Sequence, residues 1–227
     1  MSARIAIIAA LPRELRGLVR KATPDRQLKR RGISLYRLPS AVAVAAGMGA
    51  ARVSLAFEAA VSAGEIAQII SAGLAGACDP GLRAGEAVDA AVVVDARTGE
   101  RFRTEDENAN AILVTSDAIA SVQQKARLAA SYGAAMVDME AATLARLAEA
   151  HGLGFRAIKG ISDAHDVELE SLARFADARG QFRTVAFALH TALRPGTWGA
   201  AARLGSDSNR ALAALHARLR EILEQRY

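Results

Sequence analysis

The sequence predicts an α/β domain: a single unit with a central mixed, largely parallel twisted sheet flanked by helices. Three observations predict it. Short apolar runs rich in Ile, Val and Ala recur at residues 4–10 (RIAIIAA), 41–46 (AVAVAA), 67–72 (AQIISA) and 155–161 (FRAIKGI), the pattern of strands covered on both faces. Stretches with apolar residues at helical spacing separate them. The length of 227 residues and the hydrophobic share of 52% supply one core, or one core with an appendage.

The elements follow in order. Residues 4–10 form a strand stopped by Leu11-Pro12, and residues 34–38 alternate weakly, as an edge strand does. Residues 41–46 form a buried strand ended by Gly47-Met48-Gly49, and residues 50–62 a helix with Val53, Phe57, Ala60 and Val61 on its apolar side. The strand at 67–72 runs into Gly73-Leu74-Ala75-Gly76, where glycines predict a turn. Strands are read at 87–94 and 111–115, a polar helix at 121–130, and a strand at 135–139 feeding a helix at 140–151. The strand at 155–161 ends at Ser162-Asp163, and a helix is expected over 169–193. Pro195-Gly196 then breaks the chain, and residues 207–225 form a last helix with Leu212, Leu215, Leu219, Ile222 and Leu223 on one stripe. We therefore divide the chain into a domain over 1–194 and a helical extension packed on it over 195–227. Residues 98–110 (TGERFRTEDENAN) are charged and apolar-poor, so a surface loop is expected there.

Composition removes several classes. A net charge of +5 raises nucleic acid as a partner. However, the basic residues are 25 Arg and 4 Lys in a chain with 53 Ala, a bias that GC-rich codons produce. Ten aromatic residues, with no basic cluster interleaved among them, do not make a base-stacking surface, so no nucleic acid is expected. Cys78 stands alone, which excludes a disulfide framework and suits a reducing cytoplasm. His151, His165, His190 and His216 have no metal-ligand spacing, so neither metal nor cofactor is expected. No apolar run is long enough for a membrane span, and the N-terminus reads as a strand rather than a leader.

In α/β sheets ligands collect beyond the carboxyl ends of strands. Three carboxylates stand there: Glu14, Glu140 and Asp163. Each has an ordinary explanation. Glu14 and Glu140 suit the first turn of a helix, and Asp163 suits a cap or turn. The Gly49 turn implies either close backbone approach to a ligand or only a tight turn. It is not a dinucleotide fingerprint, and the segment around Gly73 is not a phosphate-binding P-loop.

Taken together, these segments match a family in order and spacing. IAIIAALPREL, AAGMGAARV, IISAGLAGACDPGLRAGEAV, MVDMEAATLARLAEAHG and IKGISDAHD span most of residues 4–166. The chain resembles the nucleoside phosphorylase and nucleosidase superfamily, in particular the methylthioadenosine/S-adenosylhomocysteine nucleosidases. GLAGACDPGLRAG, KARLAASYGAAMVDME and the C-terminal RPGTWGAAARLGSDSNRALAAL also resemble the hopanoid-biosynthesis-associated phosphorylase branch, thought to remove adenine from an adenosyl-hopane.

The resemblance implies cleavage of a purine N-glycosidic bond through an oxocarbenium-like centre. Asp163 corresponds to the acid that protonates the purine, with Ser162 beside it to orient it. Such an acid needs a raised pKa, which burial supplies. Glu140 corresponds to the acceptor of the ribose hydroxyls, Met139 to the apolar residue against the sugar, and Glu14 to the base that activates water. The family's phosphorylases hold phosphate with an arginine where this chain has Ser71 and a hydroxyl residue where it has Leu74. With Glu14 present and that arginine absent, water is favoured over phosphate, although Arg13, Arg16 or Arg52 can substitute geometrically. Ile119 stands where an aromatic residue stacks on adenine, so adenine preference is less secure. The short 95–110 segment opens the pocket to a larger 5′ substituent. A non-catalytic nucleoside sensor is the rival class, although binding alone requires only Glu140. The resemblance further implies a homodimer or higher homo-oligomer and, for a hopanoid substrate, transient membrane contact.

Overall fold

The computed structural model describes residues 4–168 and 198–225. Among the described residues, nine strands and six helices follow in order: β1 (Arg4–Ala9), α1 (Pro12–Leu15), α2 (Arg26–Arg30), β2 (Ser34–Arg37), β3 (Ala41–Ala45), α3 (Ala50–Ser62), β4 (Ile66–Ala77), β5 (Ala87–Asp95), β6 (Arg101–Arg103), β7 (Ala111–Thr115), α4 (Val122–Tyr132), β8 (Met136–Asp138), α5 (Ala141–Ala150), β9 (Gly154–Asp163) and α6 (Trp198–Glu224). The expected helix over 169–193 and the boundary at 194/195 lie outside the described residues.

The strand order is β2-β3-β1-β4-β8-β7-β5-β6, with β9 joining β4 to β5. The pairing β4–β9–β5–β7–β8–β4 closes on itself, so part of the sheet curls into a ring. The sheet is mixed: β1, β3, β4 and β9 run parallel, whereas β5 runs antiparallel to β9 and β8 antiparallel to β4. The weakly alternating β2 is the edge strand, antiparallel to β3.

Period-two alternation sorts the core. In β1, Ala6 and Ile8 face the layer that holds Phe57 of α3 and Leu144 of α5. Ile5, Ile7 and Ala9 face the other way, onto Leu215, Leu219 and Ile222 of α6. The stripe read in the last helix therefore completes a core layer. That helix starts at Trp198, upstream of the expected residue 207. It lies close to β9 because Gly160 has no side chain: a Cβ there would sit 2.7 Å from the Ala211 carbonyl oxygen.

Two expectations fail locally. The 98–110 segment is not only loop: β6 pairs antiparallel with β5 and buries Phe102, over which the Arg146 guanidinium lies at 5.6 Å. The expected turn at Gly73–Gly76 is strand, since β4 continues to Ala77 in register with β9 and β8. One aromatic residue in the first case, and pairing partners on both sides in the second, outweigh the local composition.

Candidate active site

A cavity of about 350 Å³ opens at the carboxyl ends of β1, β4, β8 and β9. Of the nine residues singled out from sequence, Glu14, Leu74, Ile119, Met139, Glu140, Ser162 and Asp163 line it. Gly49 and Gly73 do not line it among the described residues; they seat the carboxylates that do. The Gly49 N–H donates to Glu140 Oε1 at 2.7 Å. A Cβ on Gly73 would meet Glu14 Oε1 at 3.2 Å, and the residue's φ of +145° suits glycine. The close backbone approach read as one option at the Gly49 turn is here to the Glu140 carboxylate.

Glu14 is 4% exposed. Its Oε2 accepts from the Leu11 N–H at 2.7 Å and its Oε1 from the Leu74 N–H at 3.0 Å. These two bonds fix the carboxylate plane. The His216 ring of α6 lies with Nε2 2.7 Å from the Glu14 carbonyl oxygen, which can only accept, so Nε2 carries the proton. Burial lowers the His216 pKa, in keeping with a neutral ring.

Glu140 is the residue just before α5. Burial pushes its carboxyl up to about 7; the Asp138 charge adds to this, while Lys159 and the Gly49 N–H oppose it. Asp138 is held from all sides. Its Oδ1 accepts from Thr115 Oγ1 at 2.7 Å, and its Oδ2 accepts from the Ala141 N–H at 3.0 Å and pairs with Lys159 Nζ at 2.8 Å. Lys159 also donates to Ser71 Oγ at 3.0 Å. Ser71 is completely buried beneath it, and so takes no part in the cavity wall.

Asp163 ends β9 and is 3% exposed. Its Oδ1 lies 2.5 Å from Ser162 Oγ and its Oδ2 lies 2.5 Å from Lys125 Nζ. Gly76 makes room for this pair: a Cβ there would come within 2.9 Å of Asp163 Oδ2 and 3.2 Å of Lys125 Cε. Burial pushes the neighbouring Cys78 thiol up to about 12, with Lys125 lowering and Asp163 raising it.

Sequence reasoning missed Lys125, Lys159 and the four α6 residues on the cavity wall, Leu204, Gly205, Ser208 and Asn209. Lys125 reads as an ordinary member of a polar helix, QQKARLAASY. A signal was nevertheless present. The chain has only four lysines among 29 basic residues, and two of them are Lys125 and Lys159, both buried in ion pairs. Of the arginines weighed as phosphate ligands, Arg13 is on the cavity wall, while Arg52 is tied to the Ala46 and Gly32 carbonyls at 2.5 and 3.1 Å.

Three buried carboxylates, Glu14, Glu140 and Asp163, thus line one cavity at the strand ends of a curled mixed sheet. The chain belongs to the phosphorylase superfamily, whose family model matches residues 4–111 and 98–193. No curated protein matches. Among solved structures, 5′-methylthioadenosine nucleosidase of Arabidopsis thaliana in its apo form has a TM-score of 0.72 at 17% identity, covering 98% of this chain and 95% of that one. The 5′-methylthioadenosine/S-adenosylhomocysteine nucleosidase of Helicobacter pylori gives 0.71 at 12% identity, covering 98% of each chain. The native futalosine hydrolase of Helicobacter pylori strain 26695 gives 0.60 at 16%, covering 72% and 88%. At these identities the likeness is one of fold.

Proposed function

We propose that this enzyme cleaves the N-glycosidic bond of a purine nucleoside, an adenosine with a 5′ substituent, with water as the nucleophile. One observation carries the proposal: the three carboxylates line one cavity in three different settings. Glu14, held by two backbone N–H groups, is the base that takes a proton from water. Glu140, with Oε1 anchored by Gly49, offers its carboxylate to the vicinal ribose hydroxyls. Met139 lies against the sugar. Asp163, oriented by Ser162, protonates the departing base. Ile119 forms an apolar wall in place of a stacking ring. The solved nucleosidases and the futalosine hydrolase of similar fold support hydrolysis, as does Ser71, which lies buried under Lys159 and brings no charge to the cavity.

Arg13 on the cavity wall favours a second reading, phosphorolysis, because a guanidinium suits a phosphate dianion. A panel of 5′-substituted adenosines, from methylthio to a hopanoid-sized hydrocarbon, assayed for adenine release with and without phosphate, decides between them. Release without phosphate supports hydrolysis, strict phosphate dependence overturns it, and no release from any member overturns nucleoside cleavage altogether.

A further inference from the structure

We propose that Lys125 stores the proton that Asp163 delivers to the leaving base, passing it across the Nζ–Oδ2 contact as the glycosidic bond breaks. The inference rests on the reading of Asp163 as the acid, and it arises from the hydrogen bonds around the pair.

Lys125 is 2% exposed, and the structure gives its Nζ three acceptors: Asp163 Oδ2 at 2.5 Å, the Ala164 carbonyl at 2.9 Å and the Val167 carbonyl at 3.2 Å. As an ammonium it has three N–H groups for these three acceptors. As a neutral amine it has two N–H groups for the two carbonyls and a lone pair that accepts from a protonated Oδ2. Ser162 suits both states. Its Oγ lies 2.5 Å from Asp163 Oδ1 and 3.2 Å from the Ala75 carbonyl. Its single proton serves Oδ1 when Asp163 is ionised. When the proton sits on Oδ2, Oδ1 is still an acceptor and keeps the Ser162 hydroxyl. Neither state strands a buried polar group.

The choice of residue points the same way. This chain uses arginine 25 times and lysine four times, and two of the four lysines, Lys21 and Lys29, are exposed. A guanidinium would hold a carboxylate with a fork of two donors but does not give up its proton; an ammonium does. Burial keeps the Cys78 thiol beside the pair protonated.

The step balances. The C1′–N bond breaks, and its electron pair passes to the base. The base takes a proton from Asp163, and Asp163 takes one from Lys125 Nζ. Water gives hydroxide to C1′ and its proton to Glu14. Solvent then removes that proton and returns one to Lys125, so one water is consumed and nothing is oxidised or reduced. Lys125 acts through Asp163 and is therefore a positioning residue.

The test compares Lys125→Met and Lys125→Gln with wild type on two substrates: a 5′-substituted adenosine that the enzyme cleaves, and 4-nitrophenyl β-ribofuranoside, whose phenolate departs without a proton. Near-UV circular dichroism verifies the fold, and Lys125→Gln keeps two N–H donors for the Ala164 and Val167 carbonyls should the Met variant collapse. A folded variant is expected to lose about 100-fold or more in kcat on the adenosine, with KM changed less than about threefold, and to stay within about tenfold of wild type on the nitrophenyl riboside. Wild-type kcat on the adenosine, an equal loss on both substrates, or collapse of both variants would overturn the proposal. A wild-type enzyme that releases no base from any nucleoside fails earlier, at the proposed function itself.

Discussion

Glu140→Gln should stabilise the folded protein at alkaline pH while weakening its hold on a nucleoside. Burial and the Asp138 charge push the Glu140 carboxyl up from its ordinary 4.5 to about 7. The folded state therefore binds that proton more tightly than the unfolded chain does. The corresponding stability is fully present below pH 4.5 and is lost as pH rises through about 7. The span from 4.5 to about 7, at about 1.36 kcal/mol per pKa unit, is about 3 kcal/mol of destabilisation at pH 8. At pH 5 the same arithmetic leaves less than about 1 kcal/mol. Glutamine carries no charge at either pH and keeps an oxygen to accept from Gly49. Its gain over wild type should therefore be about 2–3 kcal/mol larger at pH 8 than at pH 5. That difference is independent of whatever constant amount the amide's own contacts contribute. Urea unfolding of both proteins without ligand, at the two pH values, measures it. A gain that is the same at pH 8 and pH 5 would refute the assignment of an uncomfortable charge to this site. In the same variant kcat/KM should fall about 10- to 100-fold, because one acceptor for the sugar hydroxyls becomes a donor.

Asp163→Asn keeps the shape of the side chain but has no proton to give. Steady-state kinetics should show kcat down by about 10²–10⁴-fold with KM changed less than about threefold, and an unchanged kcat would count against the acid role. Gly160→Ala places a Cβ 2.7 Å from the Ala211 carbonyl, which cannot move unless α6 lifts from β9. A loss on the order of 1–3 kcal/mol is expected, visible as a lower urea midpoint. Cys78, with its thiol pushed up to about 12, should remain unalkylated by iodoacetamide at pH 8 in the native protein and react once urea unfolds it; rapid labelling of the native protein, read by mass spectrometry, would contradict that burial.

Most of the architecture was legible locally. β1, β3 and β9 were readable because short runs of β-branched and small apolar residues suit a covered sheet, and α3 because Val53, Phe57 and Ala60 fall on one face. The three carboxylates could be placed at strand ends for the same reason: strand direction follows from chain order once the strands are known. Burying Ile5, Ile7 and Ala9 on one face and Ala6 and Ile8 on the other needs no more than alternation.

Register, partner and depth were not local properties. Gly73 to Gly76 look like a turn, yet they stay in β4 because β9 and β8 pair with them and because Glu14 and Asp163 occupy the space that side chains would fill. Lys125 lies 38 residues from Asp163, and Lys159 lies 21 residues from Asp138, so no helical or strand period links either pair. What makes a lysine buried is the set of acceptors that folding brings around it, and those acceptors come from other elements. Residue order was therefore enough to place Glu14, Glu140 and Asp163 at or just beyond strand ends. Only packing in three dimensions decided which of them are charged, paired and kept from water, because those properties depend on distance through space and not along the chain.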